Sequence, residues 1–136
     1  MMRFETLHHV AVAVTDLARA KQFYGGVLGL QEIPRPAFSF DGAWYQVNDR
    51  DLHLIVVKAP SLAAGRSIET ADAHLALRVN SFREAIAHLE SKGFRPGAGD
   101  PLRPMRVTIG GPTVFPQIHI MDPDRNIIEI NAAELD

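Results

Sequence analysis

Two stretches of this chain, about half its length apart, are written to the same pattern. His9 opens the alternating run His-Val-Ala-Val-Ala-Val, and 65 residues later His74 opens Leu-Ala-Leu-Arg-Val79 in the same way. The glycines that follow, Gly29 and Gly93, stand 64 apart, so the halves keep register to within one residue. Alternation of period two places Val10, Val12 and Val14 on one face of a strand and His9, Ala11 and Ala13 on the other. Asp16 is positioned to cap a helix with the apolar stripe Leu17, Ala20, Tyr24, Val27 and Leu28, and Gly29 ends it. In the second copy Ser81 and Glu84 make a capping box, Phe82, Ala85, Ile86 and Leu89 the stripe, and Gly93 the stop. A duplicated β-α unit is the economical explanation.

Strand signals follow each helix. Residues 42–47 and 52–57 are β-rich and separated by the turn composition Asn48-Asp-Arg-Asp51; residues 106–109, 114–121 and 126–131 fill the same role in the second half. The nine prolines fall at strand margins or between elements and contradict none of these strands. Each half therefore reads βαβββ, with module one at 7–58, a linker at 59–73 and module two at 74–132. The expected class is α+β, and 136 residues suit a single domain, 1–136. A net charge of -2 with no run of Lys or Arg gives no sign of a nucleic-acid groove or of an acidic membrane surface as partner. No stretch approaches the ~20 apolar residues of a membrane span, and no leader-like run follows the first residues. The expectation is a cytoplasmic protein whose partner is a small molecule. Without cysteine, its chemistry falls to histidines and carboxylates.

One carboxylate stands out. Within Asp122-Pro-Asp-Arg-Asn-Ile-Ile-Glu-Ile130, Glu129 sits between Ile128 and Ile130, on the face opposite theirs. A buried carboxylate costs several kcal/mol unless it is paired. Candidate partners occupy duplicated positions: His9 and His74 on the first strand of each half, and His53, between Leu52 and Leu54, on the strand matching that of Glu129. Three imidazoles and a carboxylate on the non-aliphatic faces of strands suit a divalent metal such as Zn, Ni, Co, Mn or Fe(II). His119 shares a face with Gln117 and Met121 in the run before Glu129. Trp44 and Tyr45 face opposite ways, one toward a cavity and one toward the core, with Trp44 the candidate for substrate contact.

The opening His9-Val, Phe23-Tyr24, Leu28-Gly29-Leu30, His74-Leu-Ala and Asp122-Pro-Asp-Arg-Asn-Ile-Ile-Glu129 together resemble the vicinal oxygen chelate superfamily, also called the glyoxalase, bleomycin-resistance and dioxygenase fold. The resemblance implies two βαβββ modules forming a cup-shaped mixed sheet around one metal, with ligands at His9, His53, His74 and Glu129. It also implies a homodimer. Members such as glyoxalase I and methylmalonyl-CoA epimerase move a carbon-bound proton, which puts Glu129 forward as ligand and base. At the position of His119, some members carry a functional tyrosine. His119 is thus either an acid or base beside the metal or a histidine hydrogen-bonded across strands.

The expected function is a metal-dependent glyoxalase-like lyase or isomerase that enolises a small vicinal-oxygen substrate, a hydroxycarbonyl or thioester. Departures from relatives are informative. Where glutathione-using glyoxalases have arginine, this chain has Ala13, with Arg78 at the equivalent place in the duplicate strand. Ala11 stands where fosfomycin enzymes have threonine, and Arg125 where relatives usually have glycine, so Asn126 is expected to take any left-handed turn conformation. An Fe(II) extradiol dioxygenase using His9, His74 and Glu129 is the first alternative. A metal-free sequestration protein of bleomycin-resistance type is the second. The Gly/Pro-rich stretch 95–116 reads as a lid, with Arg95, Arg103 and Arg106 either meeting an anionic substrate group or simply solvated.

Overall fold

In the computed structural model, which describes residues 1–59, 67–97, 100–111 and 113–136, the duplication is visible as two compact units, 1–62 and 63–136. Residues 60–66, part of the stretch expected to be the linker, lie outside the described residues. The first unit runs β1 (His9–Val14), α1 (Leu17–Lys21, continued as a π-helical stretch, Gln22–Val27), β2 (Gln31–Ile33), β3 (Gly42–Val47) and β4 (Arg50–Val56). The second runs β5 (Leu75–Val79), α2 (Phe82–Ser91), β6 (Arg95–Pro96), β7 (Pro104–Thr108), β8 (Gln117–Met121) and β9 (Ile127–Ala132). Each unit carries one mixed sheet, ordered β1-β4-β3-β2 and β5-β9-β8-β7-β6. The class is α+β, as expected. The stretch 95–116 is more than a connection, because β6 and β7 lie within it and join the sheet.

The register repeats as well as the order. In both units the first strand runs parallel to the last, with Ala11 opposite His53 in one and Ala76 opposite Glu129 in the other. His53 and Glu129 therefore occupy equivalent places, each across from an alanine two residues past a histidine. In the first unit the aliphatic face buries Val12, Val14, Leu52 and Leu54 with Ala20, Phe23 and Tyr24 of the helical segment. Tyr45 joins that core, so Trp44 takes the other face. In the second, α2 packs on β9, and Phe82 and Leu89 are buried along with Ile118, Ile120, Ile128 and Ile130.

Helix α1 departs from the expected single α-helix. Leu28 N–H donates to Phe23 O at 2.9 Å, five residues back, so the last turn is widened. Gly25 and Gly26 favour that change, since glycine is a poor α-helix former. The wider turn lets the adjacent Phe23 and Tyr24 both be buried. Gly29 then ends the segment at φ +71, and Gly93 ends α2 at φ +92, as glycine readily does. At the start of α2, Ser81 Oγ accepts from Glu84 N–H at 3.1 Å. Its remaining N–H donors go to Asp136, whose carboxylate accepts from Phe82 N at 2.8 Å and Arg83 N at 3.0 Å. The Ser81 hydroxyl donates to the same carboxylate and, with those N–H groups, holds it down to about 2.

The turn ahead of β9 is built on a buried aspartate. Asp122 Oδ1 accepts from Asp124 N at 2.9 Å and Asn126 N at 2.8 Å, and Oδ2 accepts from Asn126 Nδ2 at 2.8 Å. Arg125 N–H closes the turn on Asp122 O at 2.9 Å. The left-handed residue is Arg125 itself, at φ +67, and not Asn126 as expected. The reason is in the bonds: both N–H groups of Asn126 are committed to Asp122, which leaves Arg125 to reverse the chain. Asp122→Ala is expected to lower stability by about 2–4 kcal/mol, since three donors lose the buried carboxylate that they share. Arg125→Gly is expected to leave stability unchanged or raise it by up to about 1 kcal/mol, by relieving the left-handed conformation. Urea denaturation of the two variants measures both effects.

Candidate metal centre

Strand pairing in the second unit lines up Ala76, Glu129, His119 and Arg106 across β5, β9, β8 and β7. Directly opposed residues share a face, so Glu129, His119 and Arg106 point the same way. His74 immediately precedes β5 and reaches the same carboxylate. Its Nε2 lies 3.0 Å from Glu129 Oε2, and His119 Nε2 lies 3.4 Å from that oxygen. One oxygen thus faces two imidazole nitrogens. The three ligand atoms lie within 4.8 Å of one another.

Burial sharpens the chemistry. His119 is 1% exposed and Glu129 6%, whereas the His74 side chain keeps 24% of its surface. Ile127 and Met121 are buried on the same face and wall the group with apolar atoms. Burial, and after it the charges of His74 and Arg106, holds His119 below the ordinary imidazole value, although Glu129 pulls the other way. His119 Nδ1 is buried with no hydrogen-bond partner among the described residues, so Nε2 is the ring's usable nitrogen.

His74 shows what the group is fitted to hold. Its Nδ1 lies 2.6 Å from the carbonyl oxygen of Asp72, which can only accept, so Nδ1 carries a proton. In the neutral ring, Nε2 then presents a lone pair toward Glu129 Oε2, itself an acceptor. Two acceptors at 3.0 Å repel unless a cation joins them. That cation is either a proton, carried by the ring or by the carboxyl, or a metal ion. A histidine fixed through Nδ1 by a backbone carbonyl, with Nε2 beside a carboxylate, is the usual setting of a metal-ligating imidazole. The donor set fits Zn, Ni, Co, Mn or Fe(II).

The expected ligands in the first unit are arranged otherwise. His53 is sandwiched: Trp44 stacks on it at 4.0 Å between ring centroids and 5° between planes, and His9 at 4.3 Å and 18°. His9 Nδ1 meets His8 Nδ1 at 2.9 Å. Burial, then the charge of His9, holds His53 below the ordinary value, and Asp51 Oδ2 is 3.8 Å away. Of the expected anion-binding arginines, Arg103 donates Nη1–H to Lys92 O at 2.8 Å, near the end of α2. Arg106 is exposed beside His119. Arg78 donates from Nε to Asn131 Oδ1 and lies over the Phe115 ring, 4.8 Å from its centroid. Asn131 was not among the expected site residues, yet its Nδ2–H donates to Glu129 Oε1 at 2.6 Å. The available signal was its place two residues past Glu129, on the same face of the strand.

Comparison with known proteins gives this geometry a family. The chain matches the model of the Glyoxalase/Bleomycin resistance protein/Dioxygenase superfamily over residues 6–130. No curated protein matches it in sequence. Among solved structures it is similar to a protein from Bacillus anthracis described as a glyoxalase family member, with 22% identity, 97% of this chain and 98% of that one covered, and a TM-score of 0.73. It is also similar to a glyoxalase/dioxygenase from Nostoc punctiforme, at 23% identity, 93% and 90% coverage and a TM-score of 0.69. A third is the genomically encoded fosfomycin resistance protein FosX from Listeria monocytogenes, at 16%, 96% and 94%, and 0.69. At these identities the likeness to solved structures is one of fold. Among the described residues, no helix is long and apolar enough to cross a membrane. The family model spans nearly the whole duplicated pattern, and the chain belongs to the glyoxalase/bleomycin resistance protein/dioxygenase superfamily.

Proposed function

We propose that this chain is a metal-dependent enzyme of glyoxalase type, a lyase or isomerase acting on a small substrate with two adjacent oxygens. The observation that supports it is the single oxygen of Glu129 facing both His74 Nε2 and His119 Nε2. His74, His119 and Glu129 would hold the ion. When bound, a divalent ion supplies Lewis acidity to the paired oxygens of a hydroxycarbonyl substrate. The chain's own residues supply the rest. Glu129 is the proton acceptor, a carboxylate whose Oε1 is held by Asn131 and whose Oε2, the oxygen facing the two histidines, is the one turned toward the ion and a carbon-bound hydrogen of the substrate. The buried walls of Ile127 and Met121 exclude water and strengthen each charge interaction there.

A second reading has its own support: two histidines and one carboxylate are also the ligand set of non-haem Fe(II) oxygenases. The two readings differ in their need for oxygen. Under nitrogen, the metal-loaded protein is expected to exchange the carbon-bound hydrogen of hydroxyketone or hemithioacetal substrates for solvent deuterium. Consumption of oxygen with catechols, and no exchange without it, would favour the oxygenase. His74→Ala, His119→Ala and Glu129→Gln are each expected to weaken Zn or Co binding by more than about 100-fold, beyond what loss of a supporting residue costs. Retained metal in all three would sink the centre. The same titration of His9→Ala and His53→Ala tests the wider ligand set expected from the sequence.

Protons give a further test. His53 and His119 are both held below the ordinary value, chiefly by burial, so the unfolded chain binds protons that the folded chain refuses. In metal-free protein, stability is therefore present in full above about pH 6.5 and is lost as pH falls below it toward the folded values. Urea midpoints at pH about 7.5 and about 5.5 should show that fall, and His53→Gln should reduce it.

A further inference from the structure

One polar row beside the candidate centre is explained by neither ligands nor fold. Arg78 and Asn131 are direct neighbours on the parallel strands β5 and β9, next to the row that pairs Ala76 with Glu129. Asn131 is buried, and its amide bridges two groups: Nδ2–H donates to Glu129 Oε1 at 2.6 Å, and Oδ1 accepts from Arg78 Nε. The guanidinium is steadied in turn by the face of Phe115, 4.8 Å away.

The donor count gives this row a direction. An asparagine amide can present either end, and the two are nearly alike in shape. Arg78 can only donate, so it holds Oδ1 toward itself and turns Nδ2–H toward Glu129. With the amide reversed, two oxygens would face each other across 2.6 Å, and the Arg78 N–H would face another donor. The Nδ2–H bond occupies Oε1, and the oxygen left to face the histidines is Oε2. Ala76, across from Glu129, offers no side chain that could make this bond instead.

We propose that Asn131 and Arg78 form a clamp that decides which oxygen of Glu129 is presented to the metal and the substrate. Asn131 is a positioning residue in contact with Glu129, and Arg78 acts through Asn131. The inference rests on the metal-centre reading above. It assigns Arg78 to orienting the carboxylate, where the sequence suggested contact with substrate.

Co(II) titration followed by visible absorption tests the clamp, with circular dichroism to check folding. Asn131→Leu is expected to weaken Co(II) binding about 10- to 100-fold, the usual effect of losing a group that supports a ligand. It should also shift the visible bands, because Oε1 is released and the ligand field changes. Arg78→Met should weaken binding by a smaller factor, about 3- to 10-fold, and Arg78→Lys, which still donates to Asn131, should restore part of it. In the Asn131→Leu background, Arg78→Met should change affinity by less than about 2-fold, since residues acting in series are not additive. A wild-type protein that binds no Co(II) overturns the metal-centre reading and the clamp with it. Wild-type binding with unchanged affinity and spectrum in Asn131→Leu overturns the clamp alone. An equal loss from Arg78→Met in both backgrounds overturns the role of Arg78. If Asn131→Leu does not fold, Arg78→Met and its rescue by Arg78→Lys decide the matter, and no loss in Arg78→Met rejects the clamp.

Discussion

A carboxylate in the middle of a buried strand must be neutralised where it stands, and the second unit is arranged around that requirement. Every residue of β9 is buried, Glu129 among them. Only 8% of the Glu129 side chain is left exposed, so most of the desolvation cost falls on its neighbours. Three side chains meet it: Asn131 on one oxygen, and His74 and His119 on the other. The strand positions follow from this. β5 brings Arg78 and the residue just before it, His74, β8 brings His119, and β9 brings both Glu129 and Asn131. An alanine opposite Glu129 leaves the space that the histidines use.

The duplicated register makes the two units a comparison within one molecule. Each pairs its first strand with its last in parallel, and each puts an alanine opposite the key residue of the last strand. What differs is the side chain. In the second unit the residue is an acid, and a histidine nitrogen points at it. In the first it is His53, and the neighbouring rings lie flat on it. His53 carries no anionic oxygen to draw a neighbouring ring nitrogen toward it, and His9 directs its Nδ1 to His8 Nδ1 at 2.9 Å instead, whereas a carboxylate attracts any group carrying a positive charge. The same backbone thus yields an ionic cluster in one place and an aromatic stack in the other.

Much of this was legible in the sequence because it depends on short-range rules. Alternation located β1 and β5 to within a residue, the caps at Asp16 and Ser81 form as the motif requires, and Gly29 and Gly93 take the left-handed conformation that ends a helix. The approach of His74 to Glu129 could be anticipated from duplication. What could not be read depended on competition between neighbours. The widened turn at Gln22–Val27 follows from burying two adjacent aromatic rings at once. Arg125 adopts positive φ because Asp122 claims both N–H groups of Asn126. The role of Asn131 depends on the register of β5 against β9, which alternation alone does not define. His119 was noticed in the sequence, with two roles open. Its approach to Glu129 is a cross-strand pairing, again a matter of register.

The central proposal is that His74 Nε2 and the facing oxygen of Glu129 would hold a metal ion. Nitrogen-15 NMR of the imidazole rings reads this directly, since proton-bearing, lone-pair and metal-bound nitrogens resonate apart. The account predicts that His74 carries its proton on Nδ1 and that about one equivalent of Zn moves the Nε2 signals of both His74 and His119, in keeping with a site formed by neutral imidazoles. Nε2 signals that stay in place when Zn is added, with His74 doubly protonated near neutral pH, would show that a proton joins the pair and would contradict the metal centre.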